Sequence, residues 1–160
     1  IILRHNYEDI YNLTKVLKIL DIIDEKSKIN IKTKYENKDV HITVEIDDIE
    51  FAGNMMLMKG YTTSFDLLDE VHYGDGHVFK WYPIEGMYEM KIEVNNGKLS
   101  DGSKCIYIDY NIFNMPKQKF NNLDYKLPEN IVIFEHNGTF IIDNIELLIK
   151  CLWNSLFPQD

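Results

Sequence analysis

Two imidazoles and three carboxylates crowd one short stretch of the chain: Asp69, Glu70, His72, Asp75 and His77, gathered around Tyr73-Gly74-Asp75-Gly76. Histidine nitrogens and carboxylate oxygens together form a donor set that holds divalent transition metals. A glycine-rich turn lets such ligands converge, so His72, Asp75 and His77 are the candidate centre of a small metal-dependent enzyme. Their spacing, H-x-x-D-x-H, matches no established ligand signature. The same residues also suit a polar turn between two elements, with Gly74 and Gly76 supplying positive φ. We therefore assign no metal and no cofactor.

Nucleophiles make a weaker case. Cys105 with one of His5, His41, His72, His77 or His136 could form a thiolate–imidazole pair. Nothing in the spacing brings one particular pair together, and Cys105 opens an apolar run in which a thiol packs as a small hydrophobe. There is no G-x-S-x-G elbow, no phosphate-binding loop, no dinucleotide fingerprint and no H-x-E followed by P-C-x-x-C. Asp101-Gly102-Ser103 reads as a turn. No catalytic residue is assigned.

Carboxylates are the remaining signal. Glu45, Asp47, Asp48 and Glu50 cluster at the end of an alternating run, and Asp66, Asp69 and Glu70 follow on the next polar segment. The whole chain of 160 residues carries 17 Lys plus Arg against 26 Asp plus Glu, a formal charge of −9. That balance argues against direct nucleic-acid binding, which needs clustered cations to displace counterions. It favours an electrostatic landing site for a basic protein. Phe79, Trp81, Tyr82, Tyr88, Tyr107, Tyr110 and Phe113 lie in one half of the chain. Strand alternation sends most of them inward and leaves Trp81 as an aromatic anchor on the partner surface if Val78, Lys80 and Tyr82 point elsewhere. The expected partner-binding set is Glu45, Asp47, Asp48, Glu50, Asp66, Asp69, Glu70 and Trp81.

In size, charge and lack of catalytic motifs the chain is similar in character to immunity proteins that block nuclease toxins. Phage or viral inhibitors that imitate nucleic acid share the same character. The likeness implies a non-enzymatic protein that covers the basic cleft of its partner with carboxylates and aromatics. The alternatives are the metal-dependent enzyme at His72, Asp75 and His77, or an interaction domain of a phage or viral protein.

Ile occurs 22 times, Lys 16 times and Asn 15 times, against one Arg and one Ala. Such usage points to an AT-rich genome, so the abundance of Lys carries little meaning. Only Cys105 and Cys151 are present, too few for a disulfide framework, and no C-x-x-C offers a structural zinc site. No apolar stretch reaches the ~20 residues that span a bilayer. The chain opens Ile1-Ile2-Leu3 without Met, which allows a segment before it, and the low cysteine count favours the cytoplasm.

These residues must be positioned by elements that the periodicity predicts. A helix is expected from Asn6 to Ile23, with Tyr7, Ile10, Leu13, Thr14, Leu17 and Leu20 on one face. Period-two runs at Ile29–Glu36 and Asp39–Asp47, joined at Asn37-Lys38-Asp39, predict an antiparallel hairpin. Residues 48–61 suit either a short helix or a third strand. Ser64 is placed to cap a short helix reaching Val71, and Tyr73-Gly74-Asp75-Gly76 to form a turn. Strands follow at His77–Tyr82 and Tyr88–Val94, then a turn at Asn95-Asn96-Gly97 and a central strand from Lys104 to Phe113. An irregular stretch, Asn114–Glu129, precedes a hairpin turning at His136-Asn137-Gly138. Asp143 and Glu146 resemble a capping box that opens a final helix, which Pro158 stops.

The expected fold is α+β in one domain, residues 1–160. A mainly antiparallel, twisted sheet of five to seven strands is packed by N- and C-terminal helices. In this fold Ile31, Val40, Ile42, Val44 and Ile46 face the core. Replacing Ile42 with Asp should then destabilise the protein by several kcal/mol, the effect of burying an unpaired charge. A thermal melt identical to that of the native protein would remove the hairpin.

Overall fold

Alternation of apolar and polar residues builds the first ladder. In the computed structural model, which describes residues 28–35 and 38–157 together with Leu13, strands β1 (Lys28–Tyr35) and β2 (Lys38–Ala52) pair antiparallel. Ile29, Ile31 and Thr33 turn inward with Ile42 and Val44, while Lys28, Asn30, Lys32 and Lys34 stay in solvent. Val40 and Ile46 are half-buried and pack against the same core. Asp39 begins the second run as expected, and Lys38, expected in the turn, also belongs to β2. The expected helix from Asn6 to Ile23 lies, apart from Leu13, outside the described residues, as does Pro158.

β2 runs on past the hairpin because it has a second partner. A bulge between Ile46 and Asp48 shifts its register, and beyond it the strand pairs with β3 (Met55–Thr62). This resolves the ambiguous stretch as strand. Met56, Met58 and Gly60 continue the inward face, and Gly60 has no room for a Cβ beside the Glu45 carbonyl and the Tyr88 ring. β4 (Glu70–Gly74), β5 (His77–Tyr82) and β6 (Met87–Glu93) complete a curled six-stranded sheet in the order β1-β2-β3-β6-β5-β4.

No helix forms at Ser64–Val71. The Phe65 amide donates to the Pro83 carbonyl at 2.9 Å, Phe65 and Leu67 pack on the core, and Glu70 and Val71 are drawn into β4 by pairing with β5. Spacing of two, not of three and four, decides that segment.

Through buried Val94 the chain passes directly into a second antiparallel sheet: β7 (Asn95–Lys98), β8 (Lys104–Asp109), β9 (Ile131–His136) and β10 (Thr139–Phe140), in the order β10-β9-β8-β7. The strands thus divide into two sheets where one was expected. Asn95-Asn96-Gly97, expected as a turn, is an edge strand. Gly97 permits it, because a Cβ there would stand 2.8 Å from the Tyr107 ring on the facing strand. β8 is an inner strand but stops at Asp109, whose carboxylate accepts the Asn111 amide and opens a 3-10 turn, Tyr110–Phe113.

Helix α1 (Ile142–Leu156) closes the structure. Its start is not a capping box: Ile141 occupies the cap without a side-chain bond, and Asp143 sits in the first turn, where the helix dipole favours a carboxylate. Ile145, Leu148, Ile149, Leu152 and Trp153 bury one stripe, and one hydrophobic cluster joins the helix to most of the buried residues of both sheets. The architecture is therefore roughly α+β, a six-stranded antiparallel sheet with a small second sheet and a C-terminal helix. No helix among the described residues is long and apolar enough to cross a membrane.

Asn144 is the buried polar residue that ties the irregular stretch down. Its Nδ2 donates to the carbonyls of Asn121 (2.7 Å) and Ile133 (2.8 Å), and its Oδ1 accepts the Asn121 amide at 2.7 Å. Asn144→Ala should cost about 1–3 kcal/mol, since it leaves these groups unpaired. It should also speed cleavage by a lysine-specific protease at Lys117, Lys119 and Lys126. Denaturant melts and a proteolysis time course check both, and native values in each would show that the clamp holds nothing.

Candidate partner-binding surface

Register separates the expected site residues. Trp81 lies opposite Tyr88 on the inward face and is 1% exposed, in edge contact with Phe65, Trp153 and Phe157. Its Nε1 donates to Thr62 Oγ1 at 3.0 Å. Trp81 is a core residue and is withdrawn from the partner surface: inward-facing Phe79 precedes it by two residues, and period two carries Trp81 to the same side.

Glu45, Asp48 and Glu50 do share the outer face of β2. Two of them meet cations of the chain itself, Glu45 with Lys28 and Asp48 with Lys59, each at 3.4 Å. Asp48 holds the Lys59 ammonium above its ordinary value through a hydrogen bond and charge attraction. Register extends this pairing across the sheet: Asp48 faces Lys59, Lys59 faces Glu89 and Glu89 faces Lys80. That row alternates in sign, so the middle of the outer face is balanced. Asp47 projects at the bulge and Glu50 is exposed. β4 lies four strands from β2, roughly 19 Å along the sheet at ~4.8 Å per step. The two acidic segments are therefore not one strand-to-strand patch.

His72 and His77 both face inward, and their rings are engaged by the core. His72 packs against Phe79 and Phe157, with Nε2 3.4 Å from the Glu70 carboxylate and, among the described residues, no hydrogen bond. His77 lies over Gly74 and against Phe113, and its Nδ1 meets the Asp75 carbonyl at 3.2 Å. Burial pushes its pKa below the ordinary imidazole value. Asp75 offers its backbone, not its carboxylate. Among the described residues no group of three His, Cys, Asp or Glu is arranged to hold a metal ion.

One serine–histidine constellation was illegible in the sequence. Ser103 Oγ stands 2.6 Å from Asp101 Oδ1 and 2.9 Å from His136 Nε2, while Tyr125 donates to Asp101 Oδ2 at 2.6 Å. Asp-x-Ser spacing announces the turn, but only the β8–β9 register brings in His136, 33 positions away. Its proton order is wrong for a nucleophile. Ser103 gives its one proton to the carboxylate, so His136 donates to it where a general base would accept. The same register sets His136 opposite Cys105, a buried thiol whose pKa burial raises, which disfavours the thiolate. A cleft of about 630 Å³ under residues 117–130 is lined by Lys117, Lys119, Glu129, side-chain amides, Tyr110 and Phe120, and holds no serine, cysteine or histidine.

Exposed apolar side chains mark a different place. Apart from Leu13, the large hydrophobic residues that stay exposed among the described residues are Tyr61, Leu68, Val71, Tyr73, Ile84 and Met87, with Leu68 at 80% and Tyr73 at 78%. All belong to the β3 end, the 63–69 connection, β4, the 83–86 turn or the start of β6. Backbone bonds knit this corner: Thr62 N–H to Gly86 O at 2.8 Å, Phe65 N–H to Pro83 O, and Thr63 N–H to Thr43 O at 3.1 Å. Gly86 is required there, with φ +65° and no space for a Cβ beside Ser64 Oγ and the Thr62 carbonyl. Asp66, Asp69 and Glu85 are exposed at the same corner, Glu70 is half-buried, and no Lys or Arg occurs from residue 60 to residue 79. Comparison with known proteins finds no matching protein family, no matching curated protein and no matching solved structure.

The Asp101 network makes a pH prediction. The Ser103 hydroxyl, then the Tyr125 hydroxyl and the Ser103 amide, hold the Asp101 carboxyl down at about 2. Because folding lowers this pKa, the anchoring of Tyr125 is complete above the ordinary carboxyl value of 3.8 and fades as pH falls through about 2. In an NMR titration, Tyr125→Phe should move the Asp101 midpoint upward. An unchanged midpoint would show that the contact is not kept in solution.

Proposed function

We propose that this protein binds and neutralises a basic protein partner, in the manner of an immunity protein that blocks a nuclease-type toxin. The observation that carries the reading is the corner where Tyr61, Leu68, Ile84 and Met87 stay exposed beside Asp66, Asp69 and Glu85. Exposed apolar clusters rimmed by charge characterise protein interaction sites. Apolar side chains supply the burial that holds a complex, and the surrounding carboxylates steer a cationic partner and select it.

Neutralisation on this reading is occlusion without bond-making. The corner covers the cationic cleft through which a nuclease grips its phosphate backbone. Within the expected acidic set, the weight moves to Asp66, Asp69 and Glu70, which Glu85 joins. Glu45 and Asp48 contribute less, because Lys28 and Lys59 already balance them.

The test is to purify the protein with the product of the reading frame adjoining its own and follow association and nuclease inhibition from low to high salt. Reversing Asp66, Asp69 and Glu85 to Lys should slow association roughly tenfold or more and flatten its salt dependence, since such charges act mainly on the association rate. Reversing Asp47, Asp48 and Glu50 should have a smaller effect. A neighbouring product that is neither bound nor inhibited, or association indifferent to the first reversal, overturns the reading.

A further inference from the structure

The two edges of the six-stranded sheet are built differently. β1 carries Lys28, Lys32 and Lys34 along its exposed face, the pattern by which proteins discourage further strands from pairing. β4, Glu-Val-His-Tyr-Gly, has no lysine, no proline and no bulge, and it shows Val71 and Tyr73 to solvent.

Register fixes which backbone groups of β4 remain open. Gly74 pairs with His77 across the two-residue turn, and the pairing continues through His72–Phe79 to Glu70–Trp81. The Glu93 amide donates to the Gly76 carbonyl, so residues 76, 78, 80 and 82 direct their backbone groups toward β6. Residues 77, 79 and 81 therefore serve β4, and their partners Gly74, His72 and Glu70 are the ones bonded. Val71 and Tyr73 direct their N–H and C=O groups away from β5, and neither has a backbone partner among the described residues.

We propose that β4 is a strand-addition site: an extended segment of the basic partner pairs with the N–H and C=O groups of Val71 and Tyr73 and lengthens the sheet. This rests on the basic-partner reading and adds its geometry. Main-chain bonds supply affinity in this mode, and alternate side chains supply specificity. Here the added strand would lay alternate apolar residues beside Val71 and Tyr73, the cations between them would fall on the side of Glu70, and Asp69 and Asp75 would flank its two ends. A second copy is the less suitable occupant. Antiparallel pairing of two β4 strands centred on His72 sets Asp69 opposite Asp75 twice, with no Lys or Arg between residues 60 and 79 of either chain.

The experiment uses the full chain and a short synthetic peptide alternating lysine with valine, with an alternating glutamate–valine peptide beside it. Addition of the lysine peptide should slow amide exchange at Val71 and Tyr73 roughly tenfold or more. Tyr73→Pro deletes an amide that β5 does not use, so it should leave the melting temperature near native yet weaken peptide binding about tenfold. If that variant misfolds, Val71→Lys with Tyr73→Lys gives β4 the edge lysines of β1 and should weaken binding as strongly. Binding that survives these edge variants but falls on reversal of Asp66 and Asp69 keeps the basic-partner reading and overturns strand addition. Equal binding of the glutamate peptide overturns the charge argument, and protection of β4 that rises with protein concentration alone makes a second copy the occupant.

Discussion

The packing of Trp153 decides what the remaining surfaces can do. Its indole projects from α1 into edge contact with Phe79 (4.9 Å), Trp81 (5.5 Å) and Tyr88 (6.0 Å), and it lies beside Phe157 (6.4 Å). Those partners come from β5, β6 and the chain just past the helix, so one side chain joins the curled sheet to the helix that fills it. Edge-to-face pairs of this kind add about 0.5–1.5 kcal/mol each beyond area burial. Among the described residues the buried Trp153 Nε1 and Tyr88 Oη atoms have no hydrogen-bond partner, and burial holds the Tyr88 hydroxyl protonated. Thr33 Oγ1 donates to the Phe157 carbonyl at 2.7 Å and fixes β1 to the same end of the helix. Once the inward face is committed to Trp153, strand alternation sends Tyr61, Val71, Tyr73 and Met87 outward.

Elements whose signal is local were legible in the sequence. The β1–β2 hairpin, the β5 strand, the Asn137-Gly138 turn with φ values of 49° and 83°, and the apolar stripe of α1 were all readable as period two, positive-φ residues or period 3.6. Misread elements were those decided by a distant partner. Asn95-Asn96-Gly97 has turn composition but becomes strand because Tyr107 and Cys105 on β8 offer a ladder. Ser64 has capping chemistry, but the Pro83 carbonyl takes the Phe65 amide and leaves no helix to cap. Local propensity lost to pairing in each case.

The candidate site divides along the same line. A surplus of carboxylates is a count and was readable; their neutralisation is a register and was not. Asp48 looks identical in sequence to Asp66, yet Lys59 faces one across a strand pair and no cation follows the other for more than ten positions. His72 and His77 look like ligands until the sheet turns both rings onto phenylalanines. Trp81 needed only parity, since Phe79 and Trp81 must share a face, but which face was core depended on where Trp153 would arrive.

Anchoring and display are interleaved in the 63–69 connection, and this is what lets a surface diverge without cost to the fold. Phe65 packs edge-on against Trp81, and Leu67 also lies against the core. Between and beyond them Asp66, Leu68 and Asp69 point into solvent. The backbone bonds at Phe65, Thr62 and Gly86 use main-chain atoms and so do not depend on the identity of the displayed residues. Substitution at Asp66, Leu68 or Asp69 changes charge and apolar area at the corner, while the burial that offsets chain entropy stays with Phe65 and Leu67. The binding surface proposed above would need this separation to follow a changing partner. The segment provides it within seven residues, 63–69, because its side chains alternate between the core and the water.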